Sequence, residues 1–348
     1  MTKILLMSNG YPSKSHPNYL SFVKNINDCL IEAGCEVDLL VMDTKFDNAF
    51  QKYLQYIKYY IKALFFNRYK QYDYIYINMY PWCFLPLIPH FHNMKHVVIH
   101  WHGDDILPPT LLVSILNWVS YKFLRNTFIH FSPSKYFANQ VAEKLKINIE
   151  KIIVSPSGGI DMEIFKEKIG KVKTANLIRL GFASALLKLK GADLILKLLE
   201  NIKSIEEKIH CKIEIHFIEY GKEKQKYSEL LSQFQNTVKH SPYPVFRMAE
   251  FYHQIDILLF PSLSESLGLA ALEAMSCNIP VVATDACAFQ ETVMNGISGE
   301  RFKINDFNDF QKAIINCIQN IDKYSPRNFI EERYSKKSVV EHNKIFFK

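Results

Sequence analysis

Two glutamates eight positions apart, Glu265 and Glu273, lie in the stretch FPSLSESLGLAALEAMSCNIPVVAT over residues 260–284. It reads as a strand, a Ser/Pro turn, a helix over about residues 266–275 and a second strand. The helix is apolar almost all round apart from Glu273, and a carboxylate there is costly unless it has fixed hydrogen-bond partners. Local backbone or a buried Lys or Arg would satisfy it, and so would the hydroxyls of a ligand. Glu265 falls in the turn before the helix. From Ser266 the helix begins, and the backbone N–H groups of Leu267, Gly268 and Leu269 belong to the first-turn donors that have no partner inside a helix. Such a terminus suits phosphate. At about 1.5 Å rise per residue Glu273 lies roughly 9 Å further along, the reach from a nucleotide's diphosphate to its ribose. One helix could hold both ends of a sugar nucleotide.

The elements that must position these residues follow a βαβ rhythm. Apolar runs at 4–7, 37–41, 74–77, 97–99, 128–131 and 152–154 alternate with helical-period segments, among them an amphipathic stretch over 19–33 that stops at Gly34. A second series has strands at 177–182, 213–218, 257–260 and 280–283, with helices beginning near Ala192, Lys224, Ser266 and Asp306. Between the series, residues 166–173 are lysine-rich and lack apolar periodicity, as a linker does. The pattern predicts an α/β protein of two Rossmann-like domains, 1–165 and 166–330. A C-terminal helix, within 328–348 and assigned as 331–348, is expected to cross back to the first domain. Facing one another, two such sheets would bring their carboxyl ends to a shared cleft, the expected ligand site.

Composition is consistent with this. A chain of 348 residues corresponds to about two domains at roughly 100–200 residues each. With 48% hydrophobic and 22% charged residues it is neither disordered nor a polytopic membrane protein. Lys+Arg 42 against Asp+Glu 35 gives +7, which suits an anionic ligand, an anionic membrane or nucleic acid without choosing among them. The seven cysteines are scattered with no C-x-x-C pair, so they predict neither a disulfide framework nor a zinc site. The N-terminal apolar run is too short for a signal-peptide core, and no stretch reaches the ~18 apolar residues of a spanning helix. The expected location is cytoplasmic, with any membrane contact peripheral, on the inner face of the plasma membrane.

The Glu-x7-Glu segment followed by PVVAT resembles the signature of the GT4 family of retaining glycosyltransferases (glycosyl transferases group 1), which have the GT-B fold. The resemblance covers nearly the whole chain. SPSGGID at 155–161, with Phe165, is similar to the family's N-G-[VI]-D-x-x-x-F segment, and WHGD at 101–104 to its H-G-x-D segment. Gly181 with Lys190-Gly191 resembles the G-R-…-K-G element, and Phe289-Gln-Glu291 with Gly296 and Gly299 the later E-…-G-…-G element. The resemblance implies that Glu265 lies beside the donor sugar, Ser266 to Leu269 hold the diphosphate and Glu273 binds the ribose. It also implies that Lys190 contacts the donor phosphates and that His102 approaches the sugar from the first domain. Asn18, in the loop after the first strand, and Asp104 are expected on the acceptor side. Where the family has an arginine after the strand glycine this chain has Phe182, and Lys188 is the candidate substitute. The usual E-G-F-G is Glu265-Ser-Leu-Gly268, and the glycine before PVV is Asn278. No metal cluster is apparent, and the resemblance implies metal-independent transfer with no cofactor beyond the nucleotide-sugar.

One feature stands outside the signature. Residues 50–70 hold Lys52, Lys58, Lys62, Arg68 and Lys70, interleaved with Tyr53, Tyr56, Tyr59, Tyr60, Phe65 and Phe66, and no acidic residue. A basic, aromatic, amphipathic helix of this kind suits an anionic membrane surface, and equally a helix covering the first sheet with a solvated lysine edge. The expected activity is sugar transfer from a nucleotide-sugar donor to a glycan acceptor, lipid-linked if the membrane reading holds, in bacterial surface polysaccharide assembly such as O-antigen or capsule. The rivals are a GT-B sugar-nucleotide epimerase, a degenerate GT-B binding module without turnover and, with only charge and aromatics behind it, a nucleic-acid binder. The expectation is no nucleic-acid partner.

Overall fold

The computed structural model describes residues 1–348 apart from 15, 43–47, 104, 107–110, 112–113, 116–127 and 169–175. The chain divides into two compact units, Met1–Gly159 with Lys336–Lys348, and Ile160–Ser335.

The first unit is built on six parallel strands: β1 (Lys3–Ser8), β2 (Glu36–Val41), β3 (Tyr74–Asn78), β4 (His96–His100), β5 (Phe128–Ser132) and β6 (Ile152–Val154). Their order is β2-β1-β3-β4-β5-β6. Strands β1, β3 and β4 are buried along nearly their whole length, which is why they appear as continuous apolar runs in the sequence. The second unit holds β7 (Leu177–Phe182), β8 (Lys212–Ile218), β9 (Thr237–His240), β10 (Ile257–Phe260), β11 (Val281–Thr284) and β12 (Gly299–Phe302), ordered β12-β11-β10-β7-β8-β9 and again parallel. Strand order reverses between β7 and β10, and the carboxyl ends of the strands at such a reversal are where open α/β sheets bind ligands.

Ten of these strands match the sequence expectation to within a residue or two. The other two, β9 and β12, are the two edges of the second sheet, with one neighbour each. Their sequences, TVKH and GERF, lack the apolar run that burial on both faces produces.

Two differences concern boundaries. The break between units falls at 159/160 and not at 165/166. Phe165 is buried in the second unit's core beside Tyr252, which carries residues 160–165 with it. Residues 169–173 of the expected linker lie outside the described residues, while 166–168 have no regular structure. Instead of one C-terminal helix there are two. Pro326–Arg333 belongs to the second unit, where Ser335 bridges to Ile160. Lys336–Phe346 belongs to the first, where it packs on the helix Ser21–Glu32 and buries Val339 and Val340 beside Cys29.

Candidate active site

Both loops at the reversal of the second sheet carry residues singled out above. The loop after β7 contains a 3-10 turn, Lys188–Lys190, and Gly191. The loop after β10 contains residues 261–268 and leads into the helix Leu269–Ser276. The two loops are hydrogen-bonded together, the Leu263 N–H donating to the Leu189 carbonyl at 3.0 Å. Gly191 makes the approach possible: its φ is +84°, and a Cβ there would lie 2.4 Å from the Pro261 carbonyl oxygen.

That approach brings Lys190 to Glu265. The Lys190 Nζ donates to Glu265 Oε1 at 2.5 Å and to the Ser264 carbonyl at 2.9 Å, with both side chains mostly buried. Lys188 does not join them. Its side chain is 80% exposed and lies 4.0 Å from Asp193, because the tight turn directs it away from its neighbour two positions on. Phe182, at the arginine position of the family pattern, is fully buried.

The helix begins at Leu269, three residues later than expected. Gly268 caps it in the left-handed region at φ +82°, packed so closely on Phe289 that a Cβ would sit 2.8 Å from the ring. Leu267 turns into the core at 2% exposure in place of opening a helical turn. The first-turn donors are therefore those of Leu269 and Ala270, following the Gly268 cap, while Ser266 and Leu267 belong to the preceding loop. No side chain caps this terminus.

Glu273, on the same helix, accepts a hydrogen bond from the Tyr252 hydroxyl at 2.8 Å. Among the described residues it has no ion-pair partner. Burial pushes its carboxyl up to about 7, with the Tyr252 hydrogen bond pulling weakly the other way. Neither the backbone nor a cation thus accounts for it. Near the end of β7, Ser184 is buried and its hydroxyl has no hydrogen-bond partner among the described residues. An orphaned hydroxyl at a strand reversal calls for an explanation, and a polar ligand is one. Tyr252 and Ser184 were missed in the sequence. Nothing in a short aromatic segment or a lone serine signals a partner 21 positions away or the lack of one.

In the first unit, His102 follows β4. Its Nε2 is 2.8 Å from Asn78 Oδ1, so with Asn78 accepting, Nε2 carries the proton. The ring rests 4.4 Å from Phe22 and 4.4 Å from His100, and burial, reinforced by His100, holds its basicity well below the ordinary histidine value. This is a neutral imidazole. Its backbone N–H and that of Gly103 both donate to Asp105, a buried carboxylate that the sequence reading passed over in favour of Asp104, which lies outside the described residues. Asn18 is exposed in the turn preceding the helix Ser21–Glu32. No group of three or more His, Cys, Asp or Glu among the described residues is arranged to hold a metal ion.

The sequence model of the family described as glycosyl transferases group 1 matches residues 161–336, just over half of the chain. The chain belongs to the glycosyl transferases group 1 family. Among curated relatives, an uncharacterized glycosyltransferase of Methanocaldococcus jannaschii is 28% identical over 229 residues, covering 64% of this chain and 58% of the relative. A D-inositol 3-phosphate glycosyltransferase of Arthrobacter sp. is 28% identical over 200 residues, 52% of this chain and 47% of the relative. The chain spans about half the length of the curated relatives it matches. Solved structures align over nearly all of it. Sucrose-phosphate synthase from Thermosynechococcus elongatus gives a TM-score of 0.76 at 14% identity, covering 100% of this chain and 98% of that one. Anabaena HepE in complex with UDP-glucose gives 0.71 at 17% identity, covering 99% of each. The fold of this group 1 family member is GT-B, as the motifs led one to expect.

Proposed function

We propose that this protein is a retaining glycosyltransferase, of the hexosyltransferase class, that moves a sugar from a nucleotide-sugar donor to a glycan acceptor. The observation that carries the reading is the Lys190–Glu265 pair beside the uncapped Leu269–Ser276 helix, with the unneutralised Glu273 further along that helix. Breaking the anomeric C–O bond leaves negative charge on a diphosphate. Lys190 and the first-turn N–H groups are fixed donors for that charge, so they stabilise it as it develops without reorganising. Glu265 holds the ammonium in place and, by the family resemblance, lies beside the sugar. Glu273 in its ionised form accepts from the ribose hydroxyls, and Ser184 supplies its orphaned hydroxyl to the donor. The acceptor hydroxyl attacks the face the diphosphate leaves and passes its proton to that leaving group, so no protein nucleophile and no metal ion is invoked. In the first unit the neutral ring of His102 suits a sugar hydroxyl better than a phosphate.

HepE was solved with UDP-glucose, which supports a UDP-sugar as donor here. A lipid-linked glycan acceptor in bacterial surface polysaccharide assembly, used at the cytoplasmic face of the membrane, is supported by the resemblance to a lipopolysaccharide outer core galactosyltransferase (TM-score 0.67, 14% identity, 99% of each chain). The test is thermal unfolding of the purified chain with UDP- and GDP-sugars in the absence of metal. A ligand that binds only the native state raises Tm. We expect a rise with UDP-sugars that is abolished in Glu273→Ala and reduced in Ser184→Ala, a variant whose own Tm is unchanged because no hydrogen bond is lost. No rise with any donor, in folded protein, would sink the reading. Altered sugar nucleotide formed without acceptor would make it an epimerase.

A further inference from the structure

The helix Ala49–Leu64 of the first unit turns its apolar side outward. Tyr59 and Ala63 are buried on the sheet, with Tyr56 and Tyr60 packed beside them. Phe50, Leu54, Ile57, Ile61 and Leu64 recur every three or four positions, which puts them on one face, and all five are exposed. Phe50 is 70% exposed, Ile61 51%, and Phe65 at the helix end 80%. A helix that merely covered a sheet would bury these residues and expose its polar ones. Here both long faces are apolar, and exposed Lys58 and Lys62, four apart, run along one flank of the outward stripe. Exposed Lys52, Arg68 and Lys70 extend the positive charge, and residues 48–72 contain no acidic side chain.

We propose that this face is a docking surface for an anionic lipid bilayer, on which the helix lies in the plane of the headgroups with the Phe50–Phe65 stripe among the acyl chains. An outward apolar face bordered by cations is what such a surface rewards, since burial of the stripe and attraction of the lysines act together. At 16 residues the helix is about 24 Å long, and no helix among the described residues is long and apolar enough to cross a membrane. A second copy of the chain fits the face poorly, because pairing it with itself would oppose two sets of cations with no acid in either. The proposal is independent of the donor chemistry above, and its assay needs no nucleotide.

The experiment is flotation of the purified chain with vesicles of phosphatidylcholine alone and of an equal mixture of phosphatidylcholine and phosphatidylglycerol, across a salt series. The chain is expected to float with the mixed vesicles and release as salt rises. Reversing Lys58 and Lys62 to Glu should lower partitioning by roughly thirtyfold or more, from about fivefold per basic residue near an anionic surface. Ile57→Ser with Ile61→Ser should also lose flotation while leaving Tm unchanged, since both side chains already face solvent. Equal binding to neutral vesicles, no flotation, or variants that float like the parent would each overturn the proposal. So would a dimer in sedimentation analysis that the Ile57/Ile61 variant dissociates, or tight RNA binding through the same lysines.

Discussion

Glu273 is a partly buried carboxylate with no cation beside it among the described residues, and its pH behaviour follows from that. Its folded-state pKa is raised to about 7, so the protonated form is favoured in the folded chain, and the contribution to stability is lost as pH rises from the ordinary carboxylate value through 7. On the role proposed for Glu273, donor binding runs the opposite way, because only the ionised carboxylate would accept two ribose hydroxyls. Affinity for a UDP-sugar, measured by calorimetry, should fall about tenfold from pH 8 to pH 6, the change in ionised fraction around a pKa near 7. Glu273→Gln should bind weakly with a flat profile; a flat profile in the parent would refute the assignment. Glu265 and Glu273 stood out as candidates by residue type and spacing, and Lys190 and His102 through the family resemblance. Tyr252, Ser184 and Asp105 did not stand out, because their roles lie in which neighbour they meet or lack. Lys188 shows the converse: the resemblance offered it as a substitute for the family's arginine, and in the structure it is exposed and lies beside Asp193.

Loops and helix ends decide whether those side chains meet. Lys190 reaches Glu265 because Gly191 lets the loop after β7 press against Pro261. Gly191→Ala would put a Cβ into that carbonyl and strain a left-handed backbone, a cost of about 1–3 kcal/mol. We expect a Tm several degrees lower and donor affinity reduced further than in Lys190→Ala, since the whole loop shifts and not one cation. A variant as stable and as competent as the parent would show that the close approach is unimportant. The strands that position these loops were legible where burial on both faces makes the sequence continuously apolar. The edges β9 and β12 were hidden by their polarity, and the helix start was misjudged because a glycine cap and the inward turn of Leu267 look, in sequence, like a first helical turn.

Each unit has a sheet and apolar clusters of its own, and the C-terminal helix Lys336–Phe346 belongs to the first although the chain reaches it through the second. It contributes Val339 and Val340 against Cys29, and Phe347 beyond it packs among Tyr76 and Phe131 while the Thr2 hydroxyl donates to the Phe347 carbonyl at 2.6 Å. Burying three such side chains is worth on the order of 5 kcal/mol, a large share of the ~5–15 kcal/mol that holds a domain folded. Removing residues 336–348 withdraws that burial from the first unit and no packed side chain from the core of the second. Hydrogen exchange should therefore accelerate in β1, β3 and the helix Ser21–Glu32 by two orders of magnitude or more, while β7, β10 and β11 keep their protection. Equal acceleration in both sheets would mean that the units unfold as one, and the assignment of this helix to the first unit's stability would fail.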